Sequence, residues 1–329
     1  MSSTVFVTGA NGFIAQNLVS KLLEKGHKVI GQVRSGEKGT QLAKIVNNEN
    51  FSYVVVPVIE AKNAFDKPLK DHPEVETFYH TASPVRFSDE DVENQTLIPA
   101  INGTKYVLQS IKDYAPQLKH FVYTSSAGAL VDFNNLSIVN EESWSPITYE
   151  QAKGSGVGAY VGSKKFAEQE VWKFRDEYKP KFSVVTVLPS FVLGPNAYVA
   201  DLKNLTSTGA TFSKYINAKT REELEDMLQF PSGVDIRDVV NAHVFAAENE
   251  LANGKRLVCH SGTYNADLVL TILNEKFPGK TNLKPSEQSS SQVPDVIDNK
   301  ATKALLGEFI SIEQSITDAI DQLVKNGVF

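Results

Sequence analysis

Short runs of β-branched and aromatic residues alternate with longer amphipathic stretches through the first half of the chain, the arrangement expected of βαβ units around a parallel sheet. Thr4–Thr8, Lys28–Val33, Phe51–Val56, Thr77–His80, Lys119–Thr124 and Phe182–Leu188 predict strands. Between them Phe13, Leu18, Val19, Leu22 and Leu23 recur at helical spacing, as do Val107, Leu108 and Ile111, and these predict crossover helices. A longer helix is expected from about Ala159 to Tyr178, where nothing breaks the run before Pro180.

After about Pro189 the alternation gives way to longer polar segments, then to a capped helix over Asp238–Glu248 and a strand over Arg256–His260. Lys284–Pro294, with three consecutive serines and two prolines, reads as an exposed loop ahead of short helices near Asn299–Leu306 and Ile312–Lys325. The pattern predicts an α/β protein: a Rossmann-type, doubly wound parallel sheet over residues 1–189, to which about 234–262 return. A smaller substrate-binding lobe is expected mainly over 190–329.

A chain of 329 residues can bury a large core, and its net charge of -6 argues against a protein built to grip nucleic acid or an anionic membrane. No run of about 18 apolar residues occurs, and the amino terminus enters a strand without a charged leader, so the expected compartment is the cytoplasm. Cys259 is the single cysteine and predicts a buried filler. The six histidines show no metal-ligand spacing, and no metal is expected. His243, among Val239, Val240, Val244 and Ala247, reads as a satisfied buried histidine, and His80 as a packing residue.

Candidate chemistry begins at Thr8-Gly9-Ala10-Asn11-Gly12-Phe13-Ile14-Ala15, between the first predicted strand and helix. Gly9 permits a tight turn, Gly12 lets backbone approach a pyrophosphate, Ala15 lets the helix pack closely, and the helix amino terminus attracts the anion. Gly9, Asn11, Gly12, Phe13 and Ile14 are therefore expected cofactor contacts. At the end of the second strand, where a carboxylate would hold the adenosine ribose of NAD, the sequence has Gln32-Val33-Arg34-Ser35, with Lys38 close behind. Arg34 can fork onto a 2′-phosphate and Lys38 adds a point charge, which favours NADPH.

Tyr160-Val161-Gly162-Ser163-Lys164 places a phenol and an ammonium four positions apart, on one face of a helix. The ammonium favours phenolate and is expected to lower the tyrosine pKa. Ser126 ends the run Phe121–Ser126 at the carboxyl edge of a strand, where its hydroxyl can hold a substrate oxygen. Phe87, Val131, Phe133 and Tyr198 are candidates for the substrate wall.

Together with His80-Thr81-Ala82-Ser83-Pro84, Glu141-Glu142-Ser143-Trp144, Gly162–Glu168 and Asp235-Ile236-Arg237-Asp238-Val239, these motifs resemble the extended short-chain dehydrogenase/reductase family over nearly the whole chain. Within it the chain is most similar to fungal NADPH-dependent methylglyoxal reductases, or broad ketoreductases, and more distantly to plant dihydroflavonol reductases. The resemblance implies Ser126 as carbonyl-orienting donor, Tyr160 as general acid and Lys164 as ribose ligand. It also implies that Thr81, Ala82 and Ser83 line the cofactor, that backbone around Pro189–Val192 meets the nicotinamide, and that Asn102 helps position the site. Two positions depart from it: Val58 stands where an adenine-facing Asp is usual, and Ala127 follows Ser126.

The expected activity is NADPH-dependent reduction of aldehydes and ketones, including α-ketoaldehydes such as methylglyoxal, diketones and keto esters. A nucleotide-sugar epimerase and a non-catalytic NADP(H)-sensing regulator are the alternatives. The expected partner is a small carbonyl substrate, with no nucleic acid or membrane, and the protein is expected to be a monomer or homodimer.

Overall fold

The computed structural model describes residues 2–83, 89–132, 135, 137–199, 202, 210–228, 231–286 and 294–328. Its strands are β1 (Thr4–Val7), β2 (Lys28–Val33), β3 (Phe51–Val55), β4 (Val75–His80), β5 (His120–Thr124), β6 (Ser183–Pro189), β7 (Phe191–Leu193), β8 (Ser232–Asp235), β9 (Arg256–Cys259) and β10 (Gly262–Thr263). In the first half its helices are α1 (Phe13–Glu24), α2 (Gly36–Val46), α3 (Asp66–Asp71), α4 (Ile98–Tyr114), α5 (Tyr149–Ala152) and α6 (Gly156–Tyr178). The second half adds α7 (Thr211–Asn217), α8 (Arg221–Met227), α9 (Ile236–Glu248), α10 (Ala266–Lys276), α11 (Lys300–Leu306) and α12 (Ile312–Lys325).

Seven strands form one sheet in the order β3-β2-β1-β4-β5-β6-β9, every neighbouring pair parallel. Strands one to three run outward in one direction and the later ones in the other, so the order reverses between β1 and β4. Their carboxyl ends diverge there and leave the crevice in which open α/β sheets bind ligands. This is the doubly wound architecture that the alternating pattern predicts. Helices cover both faces: α1 and α9 pack together over a core that includes Val5, Val7, Leu18, Val122 and Val185, while α4 and α6 cover Phe6, Phe78, Phe121 and Val184. Successive strand side chains point to opposite faces, which is why Val5 and Phe6 enter different cores.

Strand and helix ends lie within about three residues of the expected ones, the scatter usual for fraying ends. The second half holds more structure than its polar composition suggests. Phe191–Leu193 leaves the main sheet and pairs with β8, which pairs in turn with β10, giving a second sheet of three strands. Strands of two to four residues are too short to show a period. A third core of Phe212, Leu224, Leu270, Ile316 and Ile320 packs α7, α8, α10 and α12 together. Helix α9 begins two residues before the expected start because Asp235 is its cap, its carboxylate accepting from the Arg237 amide at 2.7 Å. Part of the expected loop over 284–294 lies outside the described residues.

Candidate active site

The turn after β1 is bent at Gly9, whose φ of +63 is left-handed; a Cβ there would stand 3.1 Å from Cα and Cβ of Ala82. The close approach brings β1 and β4 together at the crevice. The Gly9 amide donates to Gln32 Oε1 at 2.9 Å, and Gln32 Nε2 passes the bond on to the Val56 carbonyl at 2.9 Å. Gln32, 1 % exposed, thus fixes the turn to β2 and β3. It was not singled out among the candidate site residues, although a lone amide in a strand otherwise apolar from Val29 to Val33 is a visible signal.

Phe13 is buried in the first core and Ile14 packs against it, so both offer a ligand backbone rather than side chain. Asn11 lends its carbonyl to Gln16 Nε2 at 3.1 Å. The N-cap Gly12 makes no side-chain cap bond and the first turn of α1 carries no acid, so the leading amides have no capping side chain among the described residues. Arg34 and Lys38 are exposed at the carboxyl end of β2, and neither takes part in an ion pair among the described residues. Between them Ser35 caps α2 by accepting from the Lys38 amide at 3.3 Å. Val58 is exposed just beyond β3.

At the end of β4, Thr8 Oγ1 accepts from the Ala82 amide at 3.0 Å and meets His80 Nδ1 at 2.9 Å. Thr81 donates its hydroxyl to the Thr8 carbonyl. Thr81 is therefore engaged with β1 and Ala82 backs Gly9, whereas the buried Ser83 Oγ has no hydrogen-bond partner among the described residues. His80 does more than pack: its ring bonds the phosphate-turn threonine, and burial pushes its pKa down to about 3, so it stays neutral. Burial likewise holds His243 neutral, at about 4, between Thr124 Oγ1 and the Val239 carbonyl. Cys259 is fully buried.

Helix α6 carries Tyr160 and Lys164. Ser155 caps it through the Gly158 amide at 3.0 Å, and Asp89 accepts from the Gly156 amide at 2.6 Å. In its second turn the Tyr160 hydroxyl donates to Ser126 Oγ at 3.1 Å, and that oxygen also accepts from the Gly128 amide at 3.1 Å. One turn on, Lys164 is 5 % exposed. Burial lowers its pKa to about 8 against the pull of Glu168. No ion pair to Lys164 occurs among the described residues.

The expected lowering of the tyrosine pKa is not what the structure shows. Burial raises the Tyr160 phenol, and the Ser126 hydrogen bond is the opposing effect. Desolvation of the phenolate outweighs a charge four residues along the helix.

Pro189 ends β6, which lies between β5 and β9, and Val192 is buried in the first core. Two of the wall candidates fall within the described residues. Val131 is a core residue packed with Ala127, Leu130, Leu188 and Val258. Tyr198 lies over α1 with its hydroxyl on Ser20 and near Glu24, because the chain beyond β7 crosses that helix. Phe87 and Phe133 lie outside the described residues.

The model of the NAD dependent epimerase/dehydratase family matches residues 5–260, from β1 to just beyond β9. The chain belongs to that family. Within the epimerase/dehydratase family it is 39% identical to the putative NADPH-dependent methylglyoxal reductase of Candida albicans, over 98% of this chain and 99% of that one. It is also 39% identical to the NADPH-dependent methylglyoxal reductase of Saccharomyces cerevisiae, over 98% of each. Among solved structures, yeast methylglyoxal/isovaleraldehyde reductase complexed with NADPH superposes with a TM-score of 0.90 at 37% identity, covering 99% of both chains.

Proposed function

We propose that this protein reduces aldehydes and ketones with NADPH, taking α-ketoaldehydes such as methylglyoxal, diketones and keto esters as substrates. The observation that carries the reading is the Tyr160–Ser126 hydrogen bond of 3.1 Å beside the buried Lys164, at the crevice edge of the sheet. The full-length relatives named methylglyoxal reductases support the substrate class.

The crevice fits a dinucleotide. Gly9 is left-handed and leaves only 3.1 Å between a Cβ position and Ala82, and among the described residues Ser83 Oγ is buried without a partner and the ammonium of Lys164 lacks an ion pair. Backbone from Gly9 to Ile14 would hold the pyrophosphate, Arg34 and Lys38 the 2′-phosphate, and Lys164 the ribose hydroxyls. Backbone at Pro189–Val192 would face the nicotinamide, which supplies the hydride when bound.

The chain's own groups then manage the oxygen. The Ser126 hydroxyl donates to the carbonyl oxygen and holds it in place, its Oγ already fixed by accepting from the Gly128 amide. Tyr160 Oη gives its proton to that oxygen as negative charge develops. Lys164, protonated below about pH 8, stabilises the phenolate left behind. A phenol whose pKa burial has raised is protonated at neutral pH, the state a reductive proton donor needs.

The test is stoichiometric loss of NADPH absorbance on mixing with methylglyoxal, a diketone, a keto ester and an aryl ketone. Turnover with NADPH well above that with NADH supports the reading. Cofactor recycling without net consumption would mark an epimerase, and binding without turnover a regulator.

A further inference from the structure

Glu168 is wholly buried on α6, one turn beyond Lys164, as Lys164 is one turn beyond Tyr160. Its carboxylate receives Ser125 Oγ at 2.6 Å, Thr186 Oγ1 at 2.8 Å, Trp172 Nε1 at 3.1 Å, and Arg256 Nε and Nη2 at 2.7 and 3.2 Å. Arg256, its side chain 9% exposed, turns Nη1 to the carbonyls of Glu141 and Ser143 and lays its guanidinium 3.8 Å from the centroid of Trp144. Two residues after Ser143, the chain is pinned again: the Ser145 amide donates to the Ala129 carbonyl at 2.7 Å.

Burying an ion pair of this kind is expensive, and well-packed apolar side chains of similar volume often serve stability as well. The location of its partners suggests another use. Ser125 precedes Ser126, Thr186 lies on the strand that ends at Pro189, and the segment 141–145 is tied to the turn after Ser126.

We propose that the Glu168–Arg256 pair is a positioning device for the reduction, holding the helix that bears Tyr160 and Lys164 in register with Ser126 and with the Trp144 segment. The inference rests on the reductase reading above. Neither residue touches the reacting atoms in this assignment; both act through the residues they hold.

The carboxylate also acts through its charge, since it is the group that raises the Lys164 pKa against burial. Besides Lys164, the ionisable groups facing the Glu168 carboxylate are its partner Arg256 on β9, Tyr123 on β5, and His80 on β4 beside Lys164. The last two are kept neutral by burial. Removing the Glu168 charge therefore moves Lys164 toward its neutral form.

The experiment uses the full chain with Glu168→Gln, Arg256→Lys and, as a control, Arg237→Gln at the separate Asp235–Arg237 pair. Four quantities are measured: NADPH affinity, kcat and KM for methylglyoxal against pH, thermal midpoint, and the pH dependence of Lys164 acetylation by acetic anhydride, read by mass spectrometry without cofactor.

Glu168→Gln should lower kcat on the order of 10- to 100-fold with KM little changed, the size of loss that misplacement by an ångström produces. Its Lys164 acetylation midpoint should fall by about one pH unit. Arg256→Lys, which keeps the charge, should lose less kcat than Glu168→Gln. Arg237→Gln should lower the thermal midpoint and leave the acetylation midpoint unmoved.

Wild-type kcat and acetylation midpoint in a folded Glu168→Gln overturn the proposal, as do equal shifts in Arg237→Gln. If Glu168→Gln does not fold, Ser125→Ala removes only the link to the Ser126 strand end, and an unchanged kcat there overturns it. A wild-type protein that oxidises no NADPH defeats the reductase reading instead, while the acetylation midpoint still reports on the pair.

Discussion

A phenol is a sluggish acid at neutral pH unless its surroundings ease transfer of the proton, and at Tyr160 two effects oppose. Burial favours the protonated phenol, and the hydroxyl already points its hydrogen at Ser126 Oγ. Substrate entering that contact would find the donor protonated and aimed, which suits reduction better than a preformed phenolate would. Tyr160→Phe should leave NADPH affinity within about twofold and lower kcat by roughly 10²- to 10⁴-fold, the usual worth of a positioned acid. Fluorescence titration and steady-state kinetics on the same preparation check both halves. Near-normal turnover would remove Tyr160 from the mechanism. Lys164 illustrates the same balance with the opposite sign, burial disfavouring its charged form until the pKa reaches about 8.

At the scale of elements, the site depends on how closely α6 can approach its neighbours. Gly162 lies between Tyr160 and Lys164, and a Cβ there would stand 2.5 Å from Ala152 Cβ on α5 and 3.2 Å from Leu97 Cδ2. In an open helix interior Gly→Ala stabilises by about 1 kcal/mol, whereas overpacking a tight contact costs about 1–3 kcal/mol. A methyl carbon on a short helix cannot swing aside, so the second effect wins. Gly162→Ala should lower the thermal midpoint rather than raise it, as differential scanning calorimetry can show. A raised midpoint would mean that α5 yields freely. The glycine was visible in sequence only as a spacer within Tyr-x-x-x-Lys; its packing role needed the position of α5.

Over the whole molecule, the buried neutral histidines make stability depend on pH. His80 and His243 have folded pKa values of about 3 and about 4, below the 6.5 of an unfolded histidine. The unfolded chain therefore binds more protons between those values, and their stabilisation is full above about pH 6.5 and lost as pH falls. Asp238 runs the other way. Its folded pKa, raised to about 6 from 3.8 chiefly by burial, returns stability as the pH falls through that window. By pH 4 each histidine costs roughly 3 kcal/mol and Asp238 offsets about one of them, so a net loss remains. Urea midpoints should fall from pH 7 to pH 4.5, and His243→Gln should flatten the slope. An unchanged slope in that variant would show that His243 does not control acid stability.

Particular residues show how far the chain alone carried the reading. The doubly wound sheet was legible because strand and helix periods differ and because Gly9, Gly12 and Ala15 stand at spacings that local geometry requires. Tyr160 and Lys164 share a face by helix geometry alone, so their pairing needed no fold. Gln32 and Glu168 were harder, since a single polar residue does not reveal which partners will meet it from segments remote in sequence, Gly9 and Val56 for Gln32 and Arg256 for Glu168. The same holds for Tyr198, whose hydroxyl meets Ser20 on α1, and for β7, β8 and β10, too short to carry a period. The direction of the Tyr160 pKa belongs here as well. A neighbouring charge can be read from spacing, but burial is a property of everything packed around the group, and only the folded chain settles which is larger.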